Sequence, residues 1–171
     1  YQLWSTEGPI VVETNDGSSW SEDDDFMAMS YSPGGTANGL IVAVDVVIPP
    51  GGDTIDSGCE AEDFNDFPVG GIALIQRGDC TFSDKATNAE AAGAIAAIIF
   101  NEGTNGRRDV VSGTLGDNHP GTIPVLGASY DFGSTLVTAL ESADIEASIE
   151  LEVISEIRDT WNLLADLPGK D

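Results

Sequence analysis

His119 is the only histidine in this chain of 171 residues, so it is the first residue to test for chemistry. A zinc peptidase centre needs several histidine and carboxylate ligands, and one histidine cannot supply them. A serine hydrolase would need His119 as its base, but no GxSxG sequence accompanies it. His119 lies among Gly, Asp and Pro residues, where a solvated loop histidine is the simpler interpretation. We therefore predict no catalytic residue and no metal ligand in this chain.

Arg107 and Arg108 are adjacent in a chain that has only six basic residues. They lie in a stretch, 101–121, that is rich in Gly, Asn and Asp and has no apolar period, which is typical of a long exposed loop. Guanidinium groups there could hold a peptide carboxylate or an acidic partner surface, or could simply balance charge in an acidic field. We predict a ligand or partner loop formed by Arg107, Arg108, Asn118 and His119.

The chain is strongly acidic, with 30 Asp and Glu against 6 Lys and Arg and a formal net charge of −24. This charge repels nucleic acid and anionic lipid, and no apolar run approaches the roughly 20 residues that span a bilayer. The acidic run 22–25 could offer oxygen ligands to calcium, but it lacks the alternating ligands and the Gly of a calcium loop. We predict a solvated acidic turn there, and no nucleic-acid or membrane partner. The acidity also suits a salt-rich habitat.

Cys59 and Cys80 are the only cysteines, and their spacing is not that of a CxxC pair. No second pair exists to complete a tetrahedral metal site. We predict one disulfide, with two free thiols as the alternative. A disulfide indicates a secreted, extracellular protein.

Strands and helices alternate through the part of the chain that contains these residues. An apolar, largely β-branched run at 40–48 is followed by Pro and Gly, and later apolar runs alternate with helical spacing, which indicates a βαβ unit. The predicted strands are 40–48, 71–76, 94–100, 123–126, 145–157 and 160–165, and the predicted helices are 82–92, capped by Thr81 or Ser83, and one capped by Asp131. The least regular part of the chain, 1–39, is predicted to be an N-terminal flap or lead-in with short β-like pieces at 10–13 and 26–31. A main domain at 40–158 and a final segment at 159–171 follow it.

The stretch GGIALIQRGDCTFSDKATNAEAAGAIAAIIFN at 70–101 resembles the signature of protease-associated (PA) domains. The matching residues are Arg77, Gly78, Cys80, Phe82, Lys85, the run Ala92-Gly93-Ala94 and Asn101, followed by Thr114-Leu115-Gly116 and Ile123-Pro124-Val125. The cysteine in SGCEAEDF looks like the partner of Cys80. The resemblance extends over about 40–140 and implies an α/β (α+β) fold, a β-sandwich or open barrel flanked by short helices.

The end of the chain, TWNLLADLPGKD, is similar to the segment with which M28-type zinc aminopeptidases resume their catalytic domain after a PA insertion. The resemblance implies that 159–171 is the start of a linker or first strand toward a catalytic domain that this chain does not include. The resemblance implies a non-catalytic domain of a secreted zinc aminopeptidase that modulates substrate access or protein interaction. Zinc is then expected in the catalytic domain of the parent, and not in this chain. The partners implied are that catalytic domain and polypeptide substrates or another protein. The alternatives are a stand-alone peptide-binding PA module and the PA insertion of a subtilisin-like protease.

Overall fold

The computed structural model describes residues 2–50, 55–159 and 161. Within these residues the chain forms seven strands, two α-helices and one 3-10 helix. In chain order, the strands are β1 (Gln2–Thr14), β2 (Phe26–Ala28), β3 (Gly35–Val44), β4 (Ile72–Gln76), β5 (Ala96–Phe100), β6 (Val125–Ala128) and β7 (Glu146–Ile157). The α-helices are α1 (Phe82–Ala91) and α2 (Tyr130–Leu140), and the 3-10 helix covers Ala61–Phe64. Among the described residues, no helix is both long enough and apolar enough to cross a membrane.

All seven strands lie in one mixed sheet, in the order β1-β7-β3-β4-β5-β6-β2. The central pairs β3–β4, β4–β5 and β5–β6 are parallel, whereas the outer pairs are antiparallel. The sheet curls into a nearly closed barrel, and the backbone N–H of Ile10 on β1 donates to Glu22 shortly before β2, across the opening. The predicted α/β open-barrel fold with short helices is confirmed.

Alternate residues of the central strands face two separate hydrophobic cores. On one face, Leu74, Ile98 and Leu126 pack with Phe132 and Leu136 of α2. On the opposite face, the neighbouring strand residues pack with Ala86 and Ala89 of α1. Because helices cover both faces, β4 and β5 are buried along their whole length, as parallel strands usually are. The two helices therefore lie on opposite sides of the sheet.

Each α-helix begins at a hydroxyl cap. Thr81 Oγ1 accepts from the backbone N–H of Asp84 at 3.1 Å, which identifies Thr81 as the cap of α1. Ser129 Oγ accepts from Phe132 N at 3.1 Å and caps α2. The predicted cap at Asp131 is wrong, because Ser129 already supplies the acceptor and the Asp131 carboxylate pairs with Arg108.

The first strand forms a long ribbon with the last one. β1 pairs with β7 from Gln2↔Ile157 to Thr14↔Ala147, with an irregularity after Glu7. Residues beyond Leu151 of β7 pair with β1 alone, because β3 begins opposite Leu151. The segment 1–39 thus contributes strands to the same sheet as the main body, and the domain boundaries 1–39, 40–158 and 159–171 stay predictions. The predicted strand 160–165 falls outside the described residues except at Trp161, whose side chain is exposed.

Candidate functional site

Cys59 and Cys80 form a disulfide, with their Cα atoms 5.7 Å apart. The bond joins the segment before the 3-10 helix to the turn that enters α1. At this turn Gly78 passes so close to Ile55 that a Cβ on Gly78 would lie 1.5 Å from the Ile55 carbonyl oxygen. The backbone N–H of Asp79 donates to that same oxygen at 2.9 Å. A glycine is therefore required at position 78 by close backbone contact.

Lys85 on α1 is a fully buried cation beneath this corner. Its Nζ donates a hydrogen bond to the carbonyl oxygen of Ser57 and lies 3.4 Å from Sγ of Cys59. Asn88, one turn along α1, donates to the carbonyl of Cys59 at 2.8 Å. Two polar side chains of α1 thus hold the backbone of the loop that the disulfide closes.

Burial lowers the pKa of the Lys85 ammonium from 10.5 to about 8, although the surrounding carboxylates of Asp63, Asp56 and Asp79 act in the opposite direction. A buried cation is costly unless it is paired or hydrogen-bonded, and here carbonyl contact and acidic neighbours reduce that cost. Lys85 is fully buried, so its ammonium group does not reach the surface. We interpret it as a structural residue.

Lys85 is one of the residues that match the PA signature, but the resemblance does not assign it this contact. A signal for its burial exists, because Lys85 and Ala89 are four residues apart and share a helix face. That face also carries Ala86 and packs on the sheet, so a lysine there has to be buried.

Arg107 and Arg108 lie at the α2 end of the 101–121 loop. The guanidinium of Arg108 lies 4.4 Å from the ring centroid of Tyr130 and pairs with Asp131. Arg107 pairs with Glu102 at 3.4 Å. The two side chains are 50% and 52% exposed. Exposed ion pairs contribute little free energy, so Arg108 can exchange the exposed Asp131 carboxylate for one on another molecule. The Glu102 carboxylate beside Arg107 is only 16% exposed, but the Arg107 side chain itself is accessible to a second carboxylate.

His119 lies at the other end of the loop, against α1. Its Nδ1 is 2.8 Å from Oγ of Ser83, in the first turn of α1. The neighbouring Asn118 donates its side-chain amide to Asp117 at 2.9 Å. Since α1 and α2 cover opposite faces of the sheet, the structure holds the four predicted loop residues in two groups: the Arg pair beside α2, and Asn118 with His119 on the α1 side.

The second imidazole nitrogen of His119, Nε2, is buried and has no hydrogen-bond partner within the part of the chain that the structure describes. A Cβ on Gly121 would lie 2.5 Å from this nitrogen and 2.9 Å from Oε2 of Glu90, so the two groups nearly enclose the glycine. Burial lowers the pKa of His119, and the Glu90 carboxylate partly offsets this effect. Burial therefore favours the neutral imidazole over the imidazolium.

Ser83, His119 and Glu90 are the residue types of a hydrolytic triad, but their arrangement differs from one. In a triad the carboxylate binds and orients the imidazole, which in turn contacts the nucleophile. Here the Glu90 carboxylate accepts from the backbone N–H of Thr122 at 3.1 Å and from its hydroxyl. We interpret the Ser83–His119 contact as a link that fixes the end of the loop on α1.

The acidic run 22–25 is tied to the backbone around it. The Glu22 carboxylate accepts from Ile10 N at 3.0 Å, and Asp25 accepts from Ser21 N at 2.8 Å. Within the described ranges, no group of three or more His, Cys, Asp or Glu side chains is placed to hold a metal ion.

Comparison with known proteins places these features in one family. A family model described as "PA domain" matches residues 41–136. The chain is 41% identical over 145 residues to an aminopeptidase of Pseudomonas aeruginosa, covering 84% of this chain and 26% of that protein. It is 33% identical over 144 residues to leucine aminopeptidase 2 of Trichophyton equinum, again covering 84% and 26%. The chain thus spans about a quarter of the length of these curated relatives.

Solved structures have the same fold. The aminopeptidase from Aneurinibacillus sp. strain AM-1 superposes with a TM-score of 0.71 at 24% identity, covering 91% of this chain and 34% of that one. A zinc aminopeptidase from Bacillus subtilis superposes with a TM-score of 0.56 at 27% identity, covering 91% and 35%. In both, the matched region is about a third of the solved chain.

Proposed function

The chain belongs to the PA domain family, and we propose that it is the non-catalytic accessory domain of a secreted, M28-type zinc aminopeptidase. In this parent it governs the access of polypeptide substrates. The observation that carries the proposal is the size of the match. Relatives named aminopeptidases match this chain over 26% of their length, which leaves most of each relative to form a separate catalytic domain.

The proposal that another domain of the parent carries out catalysis agrees with the residues of this chain. Zinc aminopeptidase chemistry needs a preorganised metal centre, and the sequence offers a single histidine for it. That histidine contacts Ser83 through Nδ1, and its Nε2 is enclosed beside Gly121. The residues present do not fit a zinc site, so we place the zinc in the catalytic domain of the parent.

Selection of substrates by this chain would use its exposed polar groups rather than a reactive group. The Arg107 and Arg108 guanidinium groups are half exposed and pair with Glu102 and Asp131, and Arg108 also lies over the ring of Tyr130, in a protein whose net charge is −24. An acidic peptide that meets this surface can form charge-assisted hydrogen bonds with both. We propose that this pair helps to select long or acidic substrates that pass the accessory domain on their way to the catalytic centre.

The role in protein interaction, rather than substrate access, is the second candidate. The same Arg pair would then bind an acidic surface on another protein. The names of the relatives favour an aminopeptidase as the parent over a subtilisin-like protease or a stand-alone module.

The test uses the full-length parent with Arg107 and Arg108 both replaced by Ala. We expect kcat/KM for a long acidic peptide to fall about threefold to tenfold, because one or two charge-assisted contacts are lost, while a small aminoacyl-anilide is cleaved as before. The control replaces both residues with Lys, which keeps the charge and should retain most of the activity on the long peptide. Equal effects on both substrates, or no effect on either, would count against a role of this surface in substrate selection.

A further inference from the structure

A pocket of about 250 Å³ lies between the β1–β7 ribbon, the turn at Tyr31 and the His119 end of the 101–121 loop. It is lined by side chains that include Trp4, Tyr31, Asp117, His119 and Val153. Pockets for drug-sized ligands measure roughly 300–1,000 Å³, so this one suits a single side-chain group or chain end. Arg107 and Arg108 are not among its lining residues.

Two aromatic rings form one wall of this pocket, which we call the Trp4 pocket. The ring centroids of Trp4 and Tyr31 are 6.3 Å apart, and the ring planes are inclined at 38°. The indole N–H of Trp4 donates to the carbonyl oxygen of Ser32 at 2.9 Å, which fixes the ring against the turn. Only the aromatic surface of Trp4 is therefore left to face a ligand.

Tyr31 has a left-handed backbone, with φ at +66°, which is uncommon and costly for a bulky residue. Its neighbours are firmly held: the backbone N–H of Ser32 donates to Met29 at 2.9 Å, and the buried Ser32 hydroxyl accepts from Val125 N at 2.8 Å. The fold thus maintains a strained residue whose ring lies in the pocket wall. The Ser32–Met29 hydrogen bond closes a four-residue turn with Tyr31 at its third position, where turn types II and I′ have a positive φ, so turn closure holds the ring of Tyr31 in place.

The charge of the Trp4 pocket has one sign. Among the residues that the structure describes, Asp117 is the only acidic one that lines the pocket, and no Lys or Arg lines it. Burial lowers the pKa of His119, which favours its neutral form. The surrounding field is negative as well, since the whole chain carries a net charge of −24.

Aromatic faces beside a carboxylate, with no competing cation, are the features that bind organic cations. We propose that the Trp4 pocket binds a primary alkylammonium group of a polypeptide, either its α-amino group or a lysine side chain. The ammonium contacts the Asp117 carboxylate and the aromatic wall, and its alkyl stem contacts Val153. This inference deepens the accessory role proposed above and rests on it for its biological meaning, but the binding itself needs no catalytic domain.

The test follows the indole N–H resonance of Trp4, assigned with Trp4→Phe, while three small probes are titrated into this chain. Leucinamide carries only an α-ammonium, Nα-acetyl-lysine N-methylamide carries only a side-chain ammonium, and Nα-acetyl-norleucine N-methylamide carries neither. We expect a saturable shift with one or both cationic probes and none with the norleucine derivative. Which cationic probe saturates identifies the source of the ammonium group.

Asp117→Asn should weaken binding of the cationic probe by about fivefold, because it removes the charge without changing the shape. The matched control is Asp109→Asn, an exposed aspartate at the other end of the same loop, which should leave the affinity unchanged. The proposal is overturned if neither cationic probe gives a saturable shift, if the norleucine derivative binds equally well, or if both variants weaken binding alike. Such a failure leaves the Arg107 and Arg108 test of the accessory role intact.

Discussion

The ammonium of Lys85 donates a hydrogen bond to the carbonyl oxygen of Ser57, and both residues are fully buried. A cation therefore lies inside the protein, beside the loop closed by the disulfide of Cys59. Its energetic consequence depends on pH, because burial lowers its pKa from 10.5 to about 8.

We predict that Lys85 makes stability rise with pH between about 8 and 10.5. In this window the folded chain has released the proton that the unfolded chain still binds, so the free energy of unfolding gains up to about 3 kcal/mol from this group. Lys85→Met lacks this contribution. Urea unfolding of both proteins at a series of pH values measures how the free energy of unfolding changes with pH. Below pH 8 this change should be the same for the two proteins. The same change for both above pH 8 would contradict the prediction.

Gly78→Ala should destabilise the fold by more than about 3 kcal/mol, because overpacking against rigid backbone cannot be relieved by a side-chain movement. The new Cβ would lie 1.5 Å from the Ile55 carbonyl oxygen. Gly35→Ala is the control, since its Cβ would meet only Pro124, at 3.4 Å. Thermal unfolding compares them, and a similar Tm for the two variants would show that the turn at Gly78 can move aside.

Gly121→Ala should release His119 from Ser83. The added Cβ would lie 2.5 Å from Nε2 of the imidazole, which must then leave its buried place. Exposure removes the desolvation that lowers the pKa of His119, so this pKa should rise toward its ordinary value of 6.5. NMR titration of the single histidine reports it, with Ser83→Ala as a control that removes the hydroxyl without adding volume. An unchanged pKa in Gly121→Ala would mean that the imidazole keeps its place.

Added salt should raise the Tm between dilute buffer and molar NaCl. Thirty carboxylates against six basic residues repel one another across a small surface, and at physiological ionic strength salt screens them beyond about 8 Å. Sulfate stabilises proteins because it is excluded from their surface, which is a different effect from charge screening. The comparison therefore avoids sulfate and uses NaCl and NaClO₄ at matched ionic strength. A flat or falling Tm in NaCl would indicate that the charges are already paired or well dispersed.

Burial on both faces made the centre of the fold easy to predict. β4 and β5 are continuous apolar runs, and their observed bounds lie within two residues of the predicted ones. The small residues Ala86 and Ala89 likewise indicated a helix that packs closely on a sheet, as α1 does.

The first strand could not be predicted from local sequence, because it forms by pairing with a segment that is distant in the chain. In this region the sequence predicts only a short β-like piece at 10–13, whereas β1 extends over Gln2–Thr14. Most of its first nine residues are partly or fully exposed and show no apolar alternation, and its partner β7 is distant in the chain. Such a strand is defined by its partner, which a single sequence does not reveal.

The candidate site was predictable in residue type but not in arrangement. The 101–121 loop is indeed free of helices and strands, and its polar residues were identified from composition. Their separation into an Arg group and a His119 group depends on contacts with α2 and α1, far away in sequence. The Trp4 pocket was not predicted for the same reason. Trp4, Tyr31 and Asp117 are distant in sequence, and the pairing of β1 with β7 is part of what places them around one pocket.

The side-by-side position of Gln2 and Ile157 determines how the protein responds to mechanical load. A force that pulls these two residues apart acts across the strands, so the hydrogen-bonded pairs of β1 and β7 open one after another instead of resisting together. The first pairs to open lie beyond β3, so the ribbon can peel before either core is strained. Optical-trap unfolding with handles at these residues should show gradual opening at low force before the barrel unfolds, whereas one abrupt high-force event would argue against it.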